Sequence, residues 1–222
     1  MKHLRTTVEL EPRTPVATGA ISNWCSAPGK RAFDLLCTIP ALVALAPAML
    51  LIGAGVKLTS GSPVLFRQKR FGRSGCDFEC LKFRTMKQSV GVGVTQAGDA
   101  RVTRMGRILR KWKLDELPQL INVVRGDMSL VGPRPDLPEF IIELDSSRRD
   151  GLALLTPGIT GWATLKFRRE EELLADVPPQ ELRSFYVREV LPCKSDLDLD
   201  YASRASFWGD LTILLRTVAA IF

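Results

Sequence analysis

Histidine is almost missing from this chain of 222 residues, with His3 the single example. The five cysteines, Cys25, Cys37, Cys76, Cys80 and Cys193, are odd in number and scattered in spacing. These two shortages exclude a Cys/His zinc site and a paired disulfide framework, and predict free thiols in a reducing compartment. No apolar h-region follows the first charges, so the N-terminus does not read as a signal peptide. Residues 1–29, rich in Pro, Ser, Thr and Gly and poor in large apolar groups, are expected to be a mobile tail. Gly91-Val92-Gly93 lacks the spacing of a dinucleotide-binding turn, and no recognised nucleic-acid motif accompanies the basic residues.

Acidic residues are scarce in one half. Residues 30–113 hold 16 Lys/Arg against 4 Asp/Glu, whereas residues 114–222 hold 12 against 18. The net charge of +7 hides that asymmetry. A basic half implies a polyanionic partner: nucleic acid, anionic lipid headgroups or a phosphorylated substrate. The length suits one domain, or one domain with a tail, and can bury a sizeable core.

Between residues 32 and 56 (AFDLLCTIPALVALAPAMLLIGAGV) it is a polar face that is missing, which argues against a buried core helix in a soluble protein. The stretch is long enough to span a bilayer. Asp34 near its start is expected to pair with Arg31 or reach the interface. Pro40 and Pro47 each remove a helical N–H and crowd the carbonyls of Leu36 and Val43. Lys30 and Arg31 precede the stretch, and Lys57, Arg67, Lys69, Arg70 and Arg73 follow it, which by the positive-inside tendency holds both ends on the cytoplasmic face. A bend at Pro47 gives arms of roughly 21 and 15 Å, neither of which crosses a ~30 Å hydrocarbon core. The expectation is a re-entrant helix over residues 30–57, with an ordinary span second.

Residues 58–63 read as a turn, 64–68 as a short strand, 71–75 as a hairpin-like turn and 78–86 (FECLKFRTM) as a second strand. Lys82 and Arg84 share one face of that strand, with Leu81 and Phe83 on the other. Residues 88–99 suggest a mobile loop. Residues 101–113 (RVTRMGRILRKWK) suggest a basic amphipathic helix, either packed on the core or lying in the headgroup layer.

Asp115 and Glu116 follow that basic run, with Arg107, Arg110, Lys111 and Lys113 just upstream. Such cations favour the charged form, so the pair is expected to be ionised at neutral pH. Two readings compete. Asp115 caps a helix starting at Glu116, with Pro118 tolerated in its first turn, or the pair holds a divalent metal and attacks a phosphate-bearing electrophile. Local sequence favours the cap. Downstream, Gly126 suits the end of that helix, and Pro133 and Pro135 fix the backbone around Arg134. Residues 156–162 form a glycine-punctuated turn. Residues 170–185 read as a short acidic helix, a Pro-Pro turn and another helix, and 206–222 as a closing apolar helix. In all, the fold class is α/β, mostly α with a small hairpin or sheet.

The stretches KRAFDLL, FRQKRFG, KFRTM, LDELPQLINVVRGDMSLVGPRP and PGITGWA, in that order, resemble the bacterial sugar transferases. These are the monotopic polyprenyl-phosphate phosphoglycosyl transferases, here in their short form, and the resemblance covers about residues 30–222. It implies a compact catalytic domain over 58–222 on the cytoplasmic face of the bacterial inner membrane, a re-entrant helix broken at Pro47 and interfacial amphipathic helices. It implies a UDP-sugar donor, a polyprenyl phosphate acceptor (undecaprenyl phosphate), the lipid bilayer and downstream glycosyltransferases as partners, and no nucleic acid.

By the same resemblance, Asp115 attacks the β-phosphate of the donor, releases UMP and carries a phosphosugar that the acceptor then takes. Glu116 is its partner, and Mg²⁺ rests on Asp115, Glu116 or both. Arg110 meets the lipid phosphate, and Lys82, Arg84 and Arg134 are phosphate or nucleotide contacts. The reaction begins assembly of exopolysaccharide, capsule, O-antigen or glycoprotein glycan. Three positions depart from the family pattern. Ala46-Pro47 stands for Ser-Pro, Thr156 for an arginine, and Ala163 to Arg169 for a stretch with Asn-Gly-Arg, where Lys166 and Arg168 are candidate replacements for lost positive charge. Without the resemblance, the charge asymmetry alone would suit a membrane-attached basic protein that binds anionic lipid or nucleic acid.

Overall fold

A computed structural model of the chain describes residues 21–87 and 94–220. The tail expected over 1–29 lies outside these residues up to position 20. Its last part is held, with Asn23–Ser26 forming a 3-10 turn and Ser22 Oγ donating to the carbonyl of Ala205 at 2.7 Å.

Helix α1 runs Pro28–Ser60, starting with the proline at a position where no N–H is needed. Its assignment continues through Pro40 and Pro47, so the break expected at Pro47 is not an interruption of helical backbone. One stripe of α1 docks on the rest of the chain. Lys30, Asp34, Thr38 and Val56 are buried, and Leu42, Leu45, Met49 and Ile52 pack between them on the same side. That spacing of three and four residues is one helix face. The remaining faces are bare, with Leu36, Val43, Leu50, Leu51 and Leu58 between 71 and 87% exposed. A core helix buried all round is thereby set aside.

Both ends of α1 are tied to the same body. Lys30 Nζ donates to Asp210 Oδ2 (2.5 Å) and to the Val131 carbonyl (2.9 Å). Asp34, expected to pair with Arg31 or reach the interface, is instead buried and accepts from the Leu130 N–H at 3.1 Å. Arg31 turns to the carbonyls of Val123 and Val124 (2.6 and 2.9 Å), where a cation complements a helix C-terminus.

Strands β1 (Leu65–Arg70) and β2 (Phe78–Phe83) pair antiparallel, Leu65 opposite Phe83 and Arg70 opposite Phe78. Leu81 and Phe83 are buried, as the alternation predicts, but β2 stops three residues short of Met86. Helix α2 (Arg104–Lys111) begins later than the basic pattern suggests, because the Thr103 side chain caps it by accepting from the Gly106 N–H at 2.9 Å. Gly106 is required there: a Cβ would sit 2.1 Å from the Thr85 carbonyl oxygen.

Helix α3 (Gln119–Arg125) ends at Gly126, in the left-handed region at φ 96°, as the sequence predicts. Next come β3 (Ser129–Val131), α4 (Pro138–Ile141), α5 (Ser146–Ala153), β4 (Gly158–Thr160) and α6 (Trp162–Lys166). Strands β3 and β4 pair in parallel, Ser129 with Gly158 and Val131 with Thr160. This pair explains the glycines of both motifs. A Cβ on Gly158 would lie 2.2 Å from the Gly132 nitrogen, and one on Gly161 would lie 2.3 Å from the Gly132 oxygen. The turn read at 156–162 is therefore the backbone support of the Pro133-Arg134-Pro135 segment.

The chain closes with α7 (Glu170–Leu173), α8 (Leu182–Phe185), α9 (Leu191–Arg204) and α10 (Phe207–Ala219). A π-turn over Tyr186–Val190 joins α8 to α9 just before Pro192, which has no N–H to continue the regular ladder. The largest apolar cluster lies under α4, α5 and α9, while smaller ones join α1 to α3 and α10 and to β2 and α2. All five cysteines are free thiols.

Candidate active site

The dyad does not sit at a helix cap. Lys113 adopts a left-handed conformation (φ 54°), and Leu114–Glu116 form a 3-10 turn two residues ahead of α3. The cap reading is overturned: Pro118 occupies the position before α3, and Asp115 accepts nothing from it. What fixes the turn is Asn122 in α3, a residue the sequence did not flag. Its amide donates to the Glu79 carbonyl at 2.7 Å and accepts from the Leu81 N–H at 3.0 Å. Those two bonds lock α3 to β2, one residue away from Lys82.

Glu116 Oε1 accepts from Lys82 Nζ at 2.9 Å and from Arg134 Nη2 at 2.6 Å. Burial pushes the Glu116 carboxyl up, but Arg134 and Lys82 beside it outweigh burial and hold it well below the usual carboxylate range. Asp115 is the opposite case. It is buried, and its Oδ1 has no hydrogen-bond partner among the described residues. Burial first, then the Glu116 charge, pushes its carboxyl up against the pull of Lys82, Arg110 and Lys113. The cations upstream therefore do not act alike on the two carboxyls: at Glu116 their pull exceeds desolvation, and at Asp115 desolvation exceeds their pull.

The pair lies in a cavity of about 1320 Å³, lined also by Arg70, Lys82, Arg110 and Arg134. Of the expected phosphate contacts, Lys82 and Arg134 converge on the dyad. Arg110 lines the same cavity, with Nε donating to Thr85 Oγ1 at 3.0 Å and Nη1 to Glu171 Oε1 at 2.9 Å. Arg84 also lines this cavity, but its hydrogen bonds go elsewhere. Its guanidinium donates to the carbonyls of Ser60, Gly61 and Ser62, closing the C-terminus of α1, so in this structure it is a helix cap rather than a partner of the dyad. Pro47 lies within α1, away from the cavity lining. Arg168 lines the cavity, whereas Lys166 does not.

Beneath Arg134 is a buried network that the sequence reading missed. Asp136 accepts from the Tyr186 hydroxyl at 2.8 Å and lies 3.6 Å from Lys194 Nζ, which donates to Tyr186 (2.8 Å) and pairs with Glu170 (2.9 Å). Burial opposes ionisation of Asp136, but Lys194 and Arg70 overcome it and hold its carboxyl down. The one signal for it in the sequence is Asp136 following Pro135 directly.

Among the described residues no group of three or more His, Cys, Asp or Glu side chains converges. The free Asp115 Oδ1, with Glu116 beside it, suits a magnesium ion that takes one or two carboxylates and completes its shell with phosphate and water.

The family model for bacterial sugar transferases matches residues 25–222, nearly the whole described chain. The chain belongs to the bacterial sugar transferase family. This sugar transferase is 36% identical to the UDP-glucose:undecaprenyl-phosphate glucose-1-phosphate transferase of Caulobacter vibrioides, over 96% of its own length and 79% of that relative. It is 34% identical to the exopolysaccharide production protein ExoY of Sinorhizobium fredii, over 93% of its own length and 91% of that relative. Larger relatives also match. The undecaprenyl-phosphate glucose phosphotransferase of Komagataeibacter xylinus is 39% identical over 85% of this sugar transferase, which spans 35% of that relative.

Proposed function

We propose that this sugar transferase moves a sugar-1-phosphate from a UDP-sugar to a polyprenyl phosphate, undecaprenyl phosphate by its relatives' names, and releases UMP. The observation that carries the mechanism is the unpartnered, buried Oδ1 of Asp115 beside a Glu116 already neutralised by Lys82 and Arg134. A carboxylate oxygen with no hydrogen bond is a better nucleophile than one that is fully solvated. In the first displacement Asp115 bonds to the β-phosphorus of the donor, the bond from that phosphorus to the bridging oxygen breaks, and UMP leaves. In the second, an oxygen of the polyprenyl phosphate bonds to the same phosphorus and the Asp115 carboxylate departs, leaving a polyprenyl diphosphosugar. Lys82 and Arg134 sit where they can take up charge from the donor phosphates, the Asp136 carboxylate nearby favours the Arg134 charge, and Arg110, lining the same cavity, would meet the acceptor phosphate. Asp115 and Glu116 would hold Mg²⁺, which supplies charge neutralisation at the diphosphate.

The same reading sets the chain on the cytoplasmic face of the bacterial inner membrane, with α1 entering and leaving by one side. It is supported by an apolar helix of 33 residues whose two ends are both held by the catalytic domain, Lys30 at Asp210 and the Ser60 carbonyl at Arg84. A helix tied at both ends to one domain does not suit a crossing. The product then feeds downstream glycosyltransferases, and the exopolysaccharide name of two relatives suits that role.

Purified full chain in detergent, given Mg²⁺, undecaprenyl phosphate and a panel of UDP-sugars, should release UMP with at least one donor. No UMP from any of them would overturn the reading. For topology, single cysteines near residues 28 and 62, in a background with Cys25, Cys37 and Cys76 replaced, should both be labelled from the cytoplasmic side. Labelling from opposite sides would reject the re-entrant arrangement and leave the chemistry untouched.

A further inference from the structure

Helix α7 begins with three consecutive glutamates, Glu170, Glu171 and Glu172, and all three line the cavity of the dyad. An acidic wall is an odd neighbour for two phosphorylated substrates, since like charges brought together repel. Each of the three has a cation. Glu170 Oε2 lies 2.9 Å from Lys194 Nζ, Glu171 Oε1 lies 2.9 Å from Arg110 Nη1, and Glu172 Oε2 lies 4.0 Å from Arg169 Nη1.

The three pairs are not alike. Lys194 is buried and also bonded to Tyr186, so Glu170 belongs to the fixed network beneath Arg134. Glu172 and Arg169 are both about 70% exposed and loosely apposed. Glu171 is the intermediate case. Its side chain is 50% exposed, while its partner Arg110 is 22% exposed and is held on its other edges by Thr85 Oγ1 (3.0 Å) and Met86 Sδ (3.2 Å). Among the described residues Glu171 is the one carboxylate bonded to Arg110. The backbone of α7 is separately fixed, with the Ala97 N–H donating to the Glu171 carbonyl at 3.0 Å and the Gln96 amide donating to the carbonyls of Leu174 and Val177. Only the Glu171 side chain has to move to free Nη1.

We infer that Glu171 is a built-in stand-in for the acceptor phosphate: it holds Arg110 until the polyprenyl phosphate replaces it, and so sets how strongly the enzyme takes its lipid substrate. This rests on the reading of Arg110 as the acceptor contact. A half-exposed carboxylate–guanidinium pair is weak and readily exchanged. A phosphate monoester carries more charge and forms a stronger charge-assisted bond to the freed Nη1. Keeping Arg110 paired also holds its orientation fixed before the acceptor arrives.

The test is the kinetics of Glu171→Gln in the full chain in detergent, with undecaprenyl phosphate and the working UDP-sugar varied in turn. With a two-displacement reaction, kcat/KM for each substrate reports its own half. The inference predicts that kcat/KM for the acceptor rises by about two- to fivefold, the range a weak surface pair supplies. It also predicts that kcat/KM for the donor stays within about that range's lower edge and that the rise disappears in an Arg110→Gln background. A fall in acceptor kcat/KM would show that Glu171 only positions Arg110, and a rise confined to the donor would mean the displaced group yields to the diphosphate; either result overturns the inference. If Arg110→Gln alone leaves acceptor kcat/KM unchanged, the assignment of Arg110 fails, and the inference with it. If Arg110→Gln lowers it while Glu171→Gln changes nothing, the inference alone fails.

Discussion

Two buried carboxylates, Asp210 and Asp115, are treated in opposite ways by this chain. Asp210 at the base of α1 has every oxygen occupied: Oδ2 accepts from Lys30 Nζ (2.5 Å) and Trp24 Nε1 (2.9 Å), and Oδ1 accepts from the Tyr201 hydroxyl. Asp115 is nearly as buried, yet its Oδ1 accepts nothing from the described residues. Cations stand close to both. The difference is where they are aimed: Lys30 points at Asp210, whereas Lys82 and Arg134 point at Glu116 and leave its neighbour free. A polar group buried without a partner costs stability, and where it persists it marks work other than holding the fold together. Asp210 anchors, and Asp115 is kept for substrate.

The sharpest way to break that comparison is to neutralise each in turn. Asp115→Asn should reduce UMP release by at least about a thousandfold, as loss of a nucleophile does. It should leave thermal stability unchanged or raised, because the native carboxylate is disfavoured where it sits. Asp210→Ala should do the reverse, costing about 3–5 kcal/mol by stranding a buried Lys30. The chemistry of the molecules that remain folded should continue; a thermal melt and UMP release measured side by side give both answers.

A finer contrast lies between two arginines once grouped as phosphate contacts. Arg134→Ala should lower kcat/KM for the donor by about a hundredfold, and should also lower the melting temperature, because Glu116 keeps only Lys82 as a partner. Arg84→Ala should mainly loosen the end of α1, at about 1–3 kcal/mol for charged bonds to three carbonyls, and should change donor kcat/KM far less. Equal kinetic losses would return Arg84 to the substrate.

A smaller effect concerns Asp198, whose contact with the Ala163 N–H is long at 3.4 Å. Burial pushes its carboxyl from 3.8 up to about 7, against the pull of Lys194. The folded state therefore holds this proton more tightly than the unfolded chain does, and its contribution to stability falls as pH rises from 3.8 to about 7. Asp198→Asn should flatten that part of the stability–pH curve; an unchanged slope would assign it to other groups.

Much of the site was legible because its motifs are local. Two prolines around Arg134, alternation in β2 and adjacent carboxylates each carry their meaning within a few residues. The resemblance supplied their order. Pieces that depend on distant partners were not legible. By alternation Arg84 would share a strand face with Lys82, but β2 ends at Phe83, and that Arg84 caps α1 follows only from where α1 ends. The parallel pairing of β3 with β4 joins segments about thirty residues apart, and in sequence the second reads only as a turn. Helix α9 was hidden because Lys194, Asp196 and Asp198 occupy its buried side, and charge there erases the apolar periodicity by which amphipathic helices are found. Polar networks inside a fold are invisible to patterns that assume polar residues face water.

The central claim is that Asp115 forms a bond to the sugar phosphate before the lipid arrives. Purified enzyme should be mixed with its working UDP-sugar and Mg²⁺ in the absence of polyprenyl phosphate, quenched and weighed by mass spectrometry. The account predicts about one UMP per chain and a mass gain of one sugar phosphate on the peptide bearing Asp115, absent in Asp115→Asn. UMP appearing only when polyprenyl phosphate is present, with Asp115 unmodified throughout, would contradict it.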